Sequence, residues 1–273
     1  RGQWMPADIQ TPISLFLGLV GQKQGILLES AEVDGRQGRY SILAWNFRLR
    51  LSCKDGKLEV ASRDERLNGL KELAGMDFLD GVRAAMDNLH IEPDDEFADL
   101  PPITRGLYGY FGYGVASMFE PKLAPLMPVE NAESCLVLPG NVAIFDHLFH
   151  RLCLLSVADG MKPAMVMSAL ERLPDMPSCG PVQNMPEEVA YKKGVNRAKE
   201  LITQGEAIQI VLSTRFQSSF SGDPFVLYRR LRQINPSPYM FFLRLPKITL
   251  LGSSPELLVR CEDGNLTTCP IAG

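Results

Sequence analysis

The sequence predicts a protein that combines helices with antiparallel strands. Four runs of β-branched and aromatic residues follow one another between residues 239 and 271, with only short turns between them. Strands joined by such short turns pair in the antiparallel sense. Elsewhere, apolar residues recur three or four positions apart, which is the spacing of an amphipathic helix. The chain is 45% hydrophobic and 22% charged, as is typical of a packed globule.

Charge and hydropathy exclude several classes of function. The formal net charge is −4 and no run of five basic residues occurs, so the sequence does not indicate nucleic-acid binding. No apolar stretch approaches the roughly 20 residues that cross a bilayer. The start of the chain lacks the pattern of a signal peptide. We therefore expect a cytoplasmic protein without a membrane segment, whose six cysteines are free thiols.

The chain is predicted to have three regions. The N-terminal region, residues 8–174, is strand-rich up to about residue 62 and then contains a helix with Phe78, Val82, Ala85 and Met86 on one face. Residues 175–186 are predicted to be a linker or long loop, because proline and glycine disfavour regular structure there. Residues 187–273 begin with a helix that Gly205 is expected to end.

Local signals predict several elements of the last region. Apolar and polar residues alternate over residues 207–216, which predicts a strand with Gln209 on its polar face. Asp223 and Pro224 are typical of a helix start. Two-residue hairpin loops are predicted at Asp55-Gly56 and at Asp263-Gly264. The second loop places Glu262 opposite Asn265, so Cys261 and Cys269 do not meet and a disulfide between them is disfavoured.

Two patterns resemble functional motifs but favour structural interpretations. His147 and His150 lie three residues apart in a predicted strand pair, where their side chains would point to opposite faces and could not easily share a metal ion. Residues 106–114 contain four glycines interleaved with aromatic residues. A phosphate-binding loop requires glycines between a strand and a helix start, so tight packing of a sheet is the simpler interpretation.

One polar segment is a candidate binding site. Glu29 and Ser30 end an apolar strand, and Arg36 and Arg39 follow across a turn. One interpretation is an ordinary hairpin with solvated charges. The other is a pocket for a zwitterion, in which Glu29 or Ser30 contacts an ammonium group and an arginine or a backbone N–H contacts a carboxylate.

A second segment is a candidate pocket wall. Pro236 and Pro238 restrict the backbone immediately before the strand that begins with Tyr239 and Met240. A rigid entry to a strand suits a binding site, because little conformational freedom is lost on binding. Tyr239 and Met240 face opposite sides of the strand, so one of them is expected in the core.

Together, these segments resemble the large subunit of anthranilate synthase, component I, among the chorismate-utilising enzymes. The resemblance extends over residues 8–273. It implies an α+β fold of two large, mostly antiparallel sheets packed together with peripheral helices, of which this chain supplies an incomplete part. Residues 187–273 would then be the first part of the chorismate-binding region. The motifs that carry the resemblance are, in order, LLESAE with GRYS, GYFGY, FDHL, RAKELITQGEAIQIVLSTRF, NPSPYMFFL, LLGSSPELLVR and PIAG.

The resemblance also implies a function in tryptophan biosynthesis. The family's enzymes are lyases that convert chorismate and ammonia to anthranilate and pyruvate. Mg²⁺ holds the substrate, and a glutamine amidotransferase subunit supplies the ammonia. Tryptophan inhibits by binding away from the active site, at segments that match Glu29, Ser30, Pro238, Tyr239 and Met240 of this chain.

Two residues distinguish subclasses within the family. Isochorismate- and salicylate-forming enzymes resemble this chain, but at the position of Gln209 they have a lysine that activates water. Glutamine cannot accept a proton at neutral pH, so it is unsuited to that role. Aminodeoxychorismate synthases have a nucleophilic lysine at the position of Ala272. The alanine side chain has no nucleophilic group, so it cannot take that role. Both positions therefore favour direct attack by ammonia on the substrate ring.

The resemblance places most of the chemistry outside these residues. Gly273 is expected to contact substrate, whereas the catalytic residues and the Mg²⁺ ligands are expected beyond it, so we expect this chain to be inactive alone. Two alternatives stay open. One is an aminodeoxychorismate synthase-type enzyme, and the other is a non-catalytic amino-acid-binding module.

Overall fold

The computed structural model describes most of the chain, and its contacts divide the chain into two compact units. The first unit comprises Arg1–Leu173 and Leu231–Pro255, and the second comprises Pro174–Arg230 and Glu256–Gly273. The predicted region 187–273 is thus divided between the units, because its strand Tyr239–Arg244 pairs with the strand Gly25–Glu29 from the start of the chain and its strand Thr249–Ser254 pairs with Tyr239–Arg244. The described residues are 2–30, 38–91, 95–97, 100–127, 133–157 and 174–270.

Antiparallel strands and short helices alternate along the chain, which confirms the α+β class. None of the helices in the described residues is long and apolar enough to cross a membrane. The helices are α1 (Pro12–Leu19), α2 (Phe78–Asp87), α3 (Ala116–Phe119), α4 (Glu188–Thr203) and α5 (Pro224–Ile234), with a longer 3-10 helix at Glu65–Leu73. The strands are β1 (Gly2–Pro6), β2 (Gly25–Glu29), β3 (Tyr40–Lys54), β4 (Lys57–Ser62), β5 (Tyr108–Tyr110), β6 (Ser134–Asp146), β7 (Arg151–Ser156), β8 (Ser178–Cys179), β9 (Gln183–Met185), β10 (Arg215–Gln217), β11 (Phe220–Ser221), β12 (Tyr239–Arg244), β13 (Thr249–Ser254), β14 (Arg260–Glu262) and β15 (Asn265–Thr267).

A nine-stranded antiparallel sheet forms the framework of the first unit. Its strand order is β1-β7-β6-β3-β2-β12-β13, and β4 and β5 add to β3 and β6. The long strand β3 pairs with β6 along one edge, and along the other edge it pairs first with β2 and then with β4. The register shifts between Phe47 and Leu49, next to Asn46 with φ +60°. This bulge inverts the alternation of side chains, so Phe47 and Leu49 pack into different cores.

Helix α2 covers one of these cores with the face that the sequence predicts. Phe78, Val82 and Ala85 are buried against β3 residues such as Leu51. The sequence also predicts Met86 on this face, but Met86 is 59% exposed. It follows Ala85 and is therefore rotated by about 100° around the helix, which takes it off the buried stripe.

Both predicted hairpin loops are confirmed. Asp55 and Gly56 have φ of +50° and +76°, and Asp263 and Gly264 have +50° and +78°. Positive φ at both central residues is the type I′ geometry that matches the twist of the flanking strands. Glu262 lies opposite Asn265 as predicted, and both Cys261 and Cys269 are free.

The second unit contains the predicted helices but less sheet than expected. Helix α4 ends before Gly205, which has φ +81°, and Asp223 Oδ1 accepts a hydrogen bond of 2.9 Å from the backbone N–H of Phe225 at the start of α5. The segment predicted as a linker forms β8 and β9, which pair with β11 and β10. Proline and glycine in this segment do not prevent such short strand pairs, because strands of two or three residues form few backbone hydrogen bonds.

The predicted strand at 207–216 is largely wrong. Only its end, β10, is a strand, and Ile208 is 99% exposed. A strand requires a hydrogen-bonded neighbour, and no described strand pairs with residues 207–214. Among the described residues the nine-stranded sheet is the one large sheet, and the others have two strands each.

Asp64 provides a pH-dependent test of the fold. Its carboxylate caps the 3-10 helix by accepting hydrogen bonds from the backbone N–H and the guanidinium of Arg66, and these bonds lower the pKa of Asp64 to about 2. A carboxyl whose pKa is lower in the folded protein stabilises it above pH ~4, and this contribution disappears as the pH falls through the folded pKa. We expect Asp64→Asn to cost about 1 kcal/mol at pH 7, a value reduced because Arg66 is largely solvent-exposed.

Thermal unfolding between pH 2 and pH 7 measures this effect. The difference in melting temperature between wild type and Asp64→Asn should shrink as the pH falls from 4 to 2. Asp87→Asn, at the exposed end of α2, is the control. A difference that stays constant with pH would contradict the assigned role of the Asp64 carboxylate.

Candidate functional site

The pairing of β2 with β12 brings the two predicted binding segments together. Met240 lies directly opposite Glu29, and the ladder continues to the pair of Arg244 and Gly25. Directly opposite residues point to the same face of a sheet, so the side chains of Glu29 and Met240 are neighbours. Both are buried, with 6% and 1% of their surface exposed.

Tyr239 and Ser30 lie next to this pair along the two strands. Tyr239 precedes Met240 and therefore faces the other side of the sheet, where it is half-buried, whereas Met240 is in the core as the alternation predicts. The Oγ of Ser30 is buried and has no hydrogen-bond partner among the described residues. The site thus contains a buried hydroxyl with unused hydrogen-bonding capacity, directly beside a buried carboxylate.

The carboxylate of Glu29 is held by Arg232. The Nε of Arg232 lies 3.1 Å from Oε2 of Glu29, whose side chain is 3% exposed, whereas the Arg232 side chain is 44% exposed. Arg232 belongs to the last turn of α5. It was not identified from the sequence. Arg232 lies three residues before the segment NPSPY, residues 235–239, and this closeness in sequence indicates that it could reach the same site.

The segment that carries Pro238 is fixed by a small hydrogen-bond network. The hydroxyl of Ser253 on β13 lies 2.6 Å from the carbonyl oxygen of Asn235 and 2.7 Å from the hydroxyl of Ser237. Ser237 is buried. These bonds and the two flanking prolines restrict the chain between α5 and β12, so the pocket wall is rigid.

Arg39 does not take the binding role that the sequence suggests for it. Its Nη2 lies 3.1 Å from Oδ2 of Asp146, and its guanidinium stacks on Tyr40 and Phe149. Asp146 is fully buried, so Arg39 is required to balance this charge and is not directed at Glu29 or Ser30. Arg36 lies outside the described residues.

The two histidines lie in the turn between β6 and β7 and not in a strand pair as predicted. His150 has φ +47°, and Nε2 of His147 lies 2.8 Å from the hydroxyl of Ser41. Burial lowers the pKa of His147, and the positive charge of Arg232 lowers it further. In the described part of the chain no three His, Cys, Asp or Glu side chains are grouped to hold a metal ion, so no Mg²⁺ site is assigned here.

The described residues show no assembled site around the remaining candidates. Gln209 is exposed in the irregular segment of the second unit, and Ala272 and Gly273 lie outside the described residues. The glycine-rich segment forms β5, where a Cβ on Gly109 would come within 1.9 Å of the carbonyl oxygen of Cys135. This close strand contact explains that glycine without a bound phosphate.

Comparisons with known proteins show the family to which the chain belongs. The family model described as chorismate binding enzyme matches residues 29–273. The anthranilate synthase component 1 of Cereibacter sphaeroides is 34% identical and that of Thermus thermophilus 35% identical, each over 98% of this chain. The chain spans 58% of the length of these relatives.

Solved structures share the fold. Anthranilate synthase component I from Streptococcus pneumoniae matches with a TM-score of 0.59 and 24% identity, over 97% of this chain and 60% of its own. The menaquinone-specific isochorismate synthase from Escherichia coli matches with a TM-score of 0.55 and 16% identity, over 96% of this chain and 52% of its own. The chain therefore belongs to the family of chorismate-binding enzymes.

Proposed function

We propose that this chain forms the N-terminal part of an anthranilate synthase large subunit, which converts chorismate and ammonia to anthranilate and pyruvate. Relatives named anthranilate synthase component 1 match nearly the whole chain at 32–35% identity. The words "component 1" imply a second component, and we propose that a glutamine amidotransferase subunit supplies the ammonia. Mg²⁺ and a cytoplasmic location stay predictions, and the Mg²⁺ ligands are expected beyond Gly273.

Gln209 supports this subclass over the alternatives. A glutamine side chain cannot activate water as a base, which disfavours an isochorismate-forming reaction. Ala272 offers no amine to attack the substrate ring, which disfavours an aminodeoxychorismate synthase. In the proposed reaction, ammonia attacks the ring directly, and the contact of Gly273 with substrate stays a prediction.

We further propose that tryptophan binds at the site formed by Glu29, Ser30, Pro238, Tyr239 and Met240. The observation that carries this proposal is the β2–β12 pairing, which places Glu29 beside Met240. A zwitterion needs polar partners for its ammonium and carboxylate groups and an apolar surface for its side chain. At this site the hydroxyl of Ser30 is the proposed polar partner and the half-buried Tyr239 is the proposed apolar surface, whereas Met240 faces the other side of the sheet and lies beside Glu29 in the core.

Ser30 and Glu29 take different roles in this proposal. Glu29 is already paired with Arg232, whereas the Oγ of Ser30 is buried with no described partner. An unsatisfied buried hydroxyl costs about 1–3 kcal/mol, and a hydrogen bond from the ligand's ammonium group removes that cost. Ser30 is therefore the proposed ligand contact, and Glu29 is a positioning residue that ties α5 to the end of β2.

Ser30→Ala tests the contact. The variant should bind tryptophan at least tenfold more weakly in calorimetric titration, because a charge-assisted hydrogen bond is lost. Its melting temperature without ligand should not fall, because the deleted hydroxyl has no described partner. Ser178→Ala, at an exposed position on β8, is the control. Unchanged tryptophan affinity in Ser30→Ala would reject this contact, and absence of binding to wild type would reject the site.

Arg232→Met tests the positioning role. Removing the guanidinium breaks an ion pair to the buried carboxylate of Glu29, which should lower the free energy of unfolding by about 2 kcal/mol. Arg83→Met breaks the exposed pair with Asp80 and should cost at most about 0.5 kcal/mol. Urea unfolding of both variants measures the difference. Equal losses would contradict a structural role for the buried pair.

Anthranilate fluorescence tests the proposed reaction. The 273-residue chain with chorismate, Mg²⁺ and ammonium salt should form no anthranilate, because the resemblance places the catalytic groups beyond Gly273. The same chain extended to the length of its relatives should form anthranilate. Turnover by the 273-residue chain would contradict the proposed location of the catalytic groups. An inactive extended chain that still binds tryptophan would favour a non-catalytic amino-acid-binding module.

A further inference from the structure

A cavity of about 180 Å³ lies away from the β2–β12 site, within the first unit. One wall is a face of the sheet formed by β3, β6 and β5. Ser52 and Tyr110 both lie opposite Cys135 in the strand registers, so their side chains form a row across three strands. The opposite wall is the turn between β12 and β13, residues 245–248, which the hydrogen bond from Leu245 N–H to the Ile248 carbonyl closes.

The lining of the cavity carries an excess of positive charge. Arg50, Lys54 and Lys247 contribute three cations, and Glu133 is the one acidic residue among the described residues that line it. None of the three cations forms an ion pair with a described residue. The Nε of Arg50 is buried and has no hydrogen-bond partner in the described part of the chain. Cations that have no ion-pair partner among the described residues favour an anionic ligand in this cavity.

Arg50 and Lys247 line the same cavity as Cys135. Burial raises the pKa of the Cys135 thiol, and the charges of Arg50 and Lys247 oppose that rise. The thiol stays neutral at physiological pH and does not balance them. Tyr110 also lines the cavity, and burial raises the pKa of its hydroxyl, which therefore keeps its proton for a hydrogen bond.

We propose that this cavity binds a compact anion through a phosphate or carboxylate group. Arg50 and Lys247 would contact the anion from the two walls, and Tyr110 would donate a third hydrogen bond. Guanidinium and ammonium groups together are the usual partners of both kinds of anion. The cavity is smaller than the roughly 300–1,000 Å³ of sites that hold drug-sized ligands, so the anion is small. Binding here is independent of the reaction and of the tryptophan site proposed above.

Calorimetric titration of the full 273-residue chain with inorganic phosphate and with malonate tests the proposal. Ionic strength is held constant with sodium chloride, so that general screening does not contribute. At least one of the two anions should bind saturably with one site per chain, and the tighter one identifies the source of the anionic group. Lys247→Ala should weaken that binding about tenfold or more, because one charge-assisted contact is lost.

Two further variants make the result specific. Lys193→Ala removes one positive charge from an exposed position on α4 and should leave the affinity within twofold of wild type. Arg50→Met should weaken binding at least as much as Lys247→Ala, and its melting temperature shows whether it folds. Lys247 lies in an exposed turn, so Lys247→Ala keeps the test valid if Arg50→Met does not fold. No saturable binding of either anion, or equal weakening by Lys193→Ala and Lys247→Ala, would overturn the proposal.

Discussion

The backbone ladder between β2 and β12 is the constraint on which the candidate site depends. It joins a strand near the start of the chain to one near its end, and it fixes which side chains meet. Contacts from neighbouring elements of the first unit stabilise this ladder. Phe16 of α1 packs edge-on against Phe242, with the two ring centroids 5.5 Å apart. Arg244 donates a hydrogen bond to the carbonyl oxygen of Gly21. β2 begins at Gly25. A Cβ at this position would lie only 2.4 Å from Cγ1 of Val20, so a residue with a side chain could not start the strand here without a shift of its neighbours.

Electrostatics follows from this pairing. Because Glu29 ends its strand in the interior, its carboxylate requires a cation, and the last turn of α5 supplies Arg232. Burial lowers the pKa of the nearby His147 and the charge of Arg232 lowers it further, which favours the neutral imidazole that hydrogen-bonds with Ser41. Ser30 follows Glu29 directly and has no described partner for its hydroxyl. Among the described residues, the charge of Glu29 is paired, whereas the hydroxyl of Ser30 has no partner.

Local features of the fold could be predicted from the sequence because their causes are local. The Asp-Gly loops, the Asp223 cap and the spacing in α2 each depend on a few neighbouring residues, and each is found in the structure. Pairings between distant segments could not be predicted in this way. The alternation over residues 207–216 predicts a strand, but a strand also needs a neighbouring strand to pair with. No described strand pairs with residues 207–214.

The candidate site shows the same division. Glu29, Ser30, Tyr239 and Met240 were identified from their segments and from the family resemblance, and the structure adds that they are neighbours. Arg232 was missed because helical spacing says nothing about a partner in a distant strand. The role of Arg39 was misassigned because its partner Asp146 lies on β6, far from it in sequence. Long-range charge pairing therefore limits what sequence alone can establish at this site.

Amide hydrogen exchange with and without tryptophan is the sharpest test of the proposed effector site, because it reports on both strands of the ladder at once. We expect tryptophan to slow exchange together in residues 25–30 and 237–244, and to leave α2 and α4 unchanged. Slower exchange confined to other segments, or to one of the two strands alone, would contradict the claim that the β2–β12 pairing builds this site.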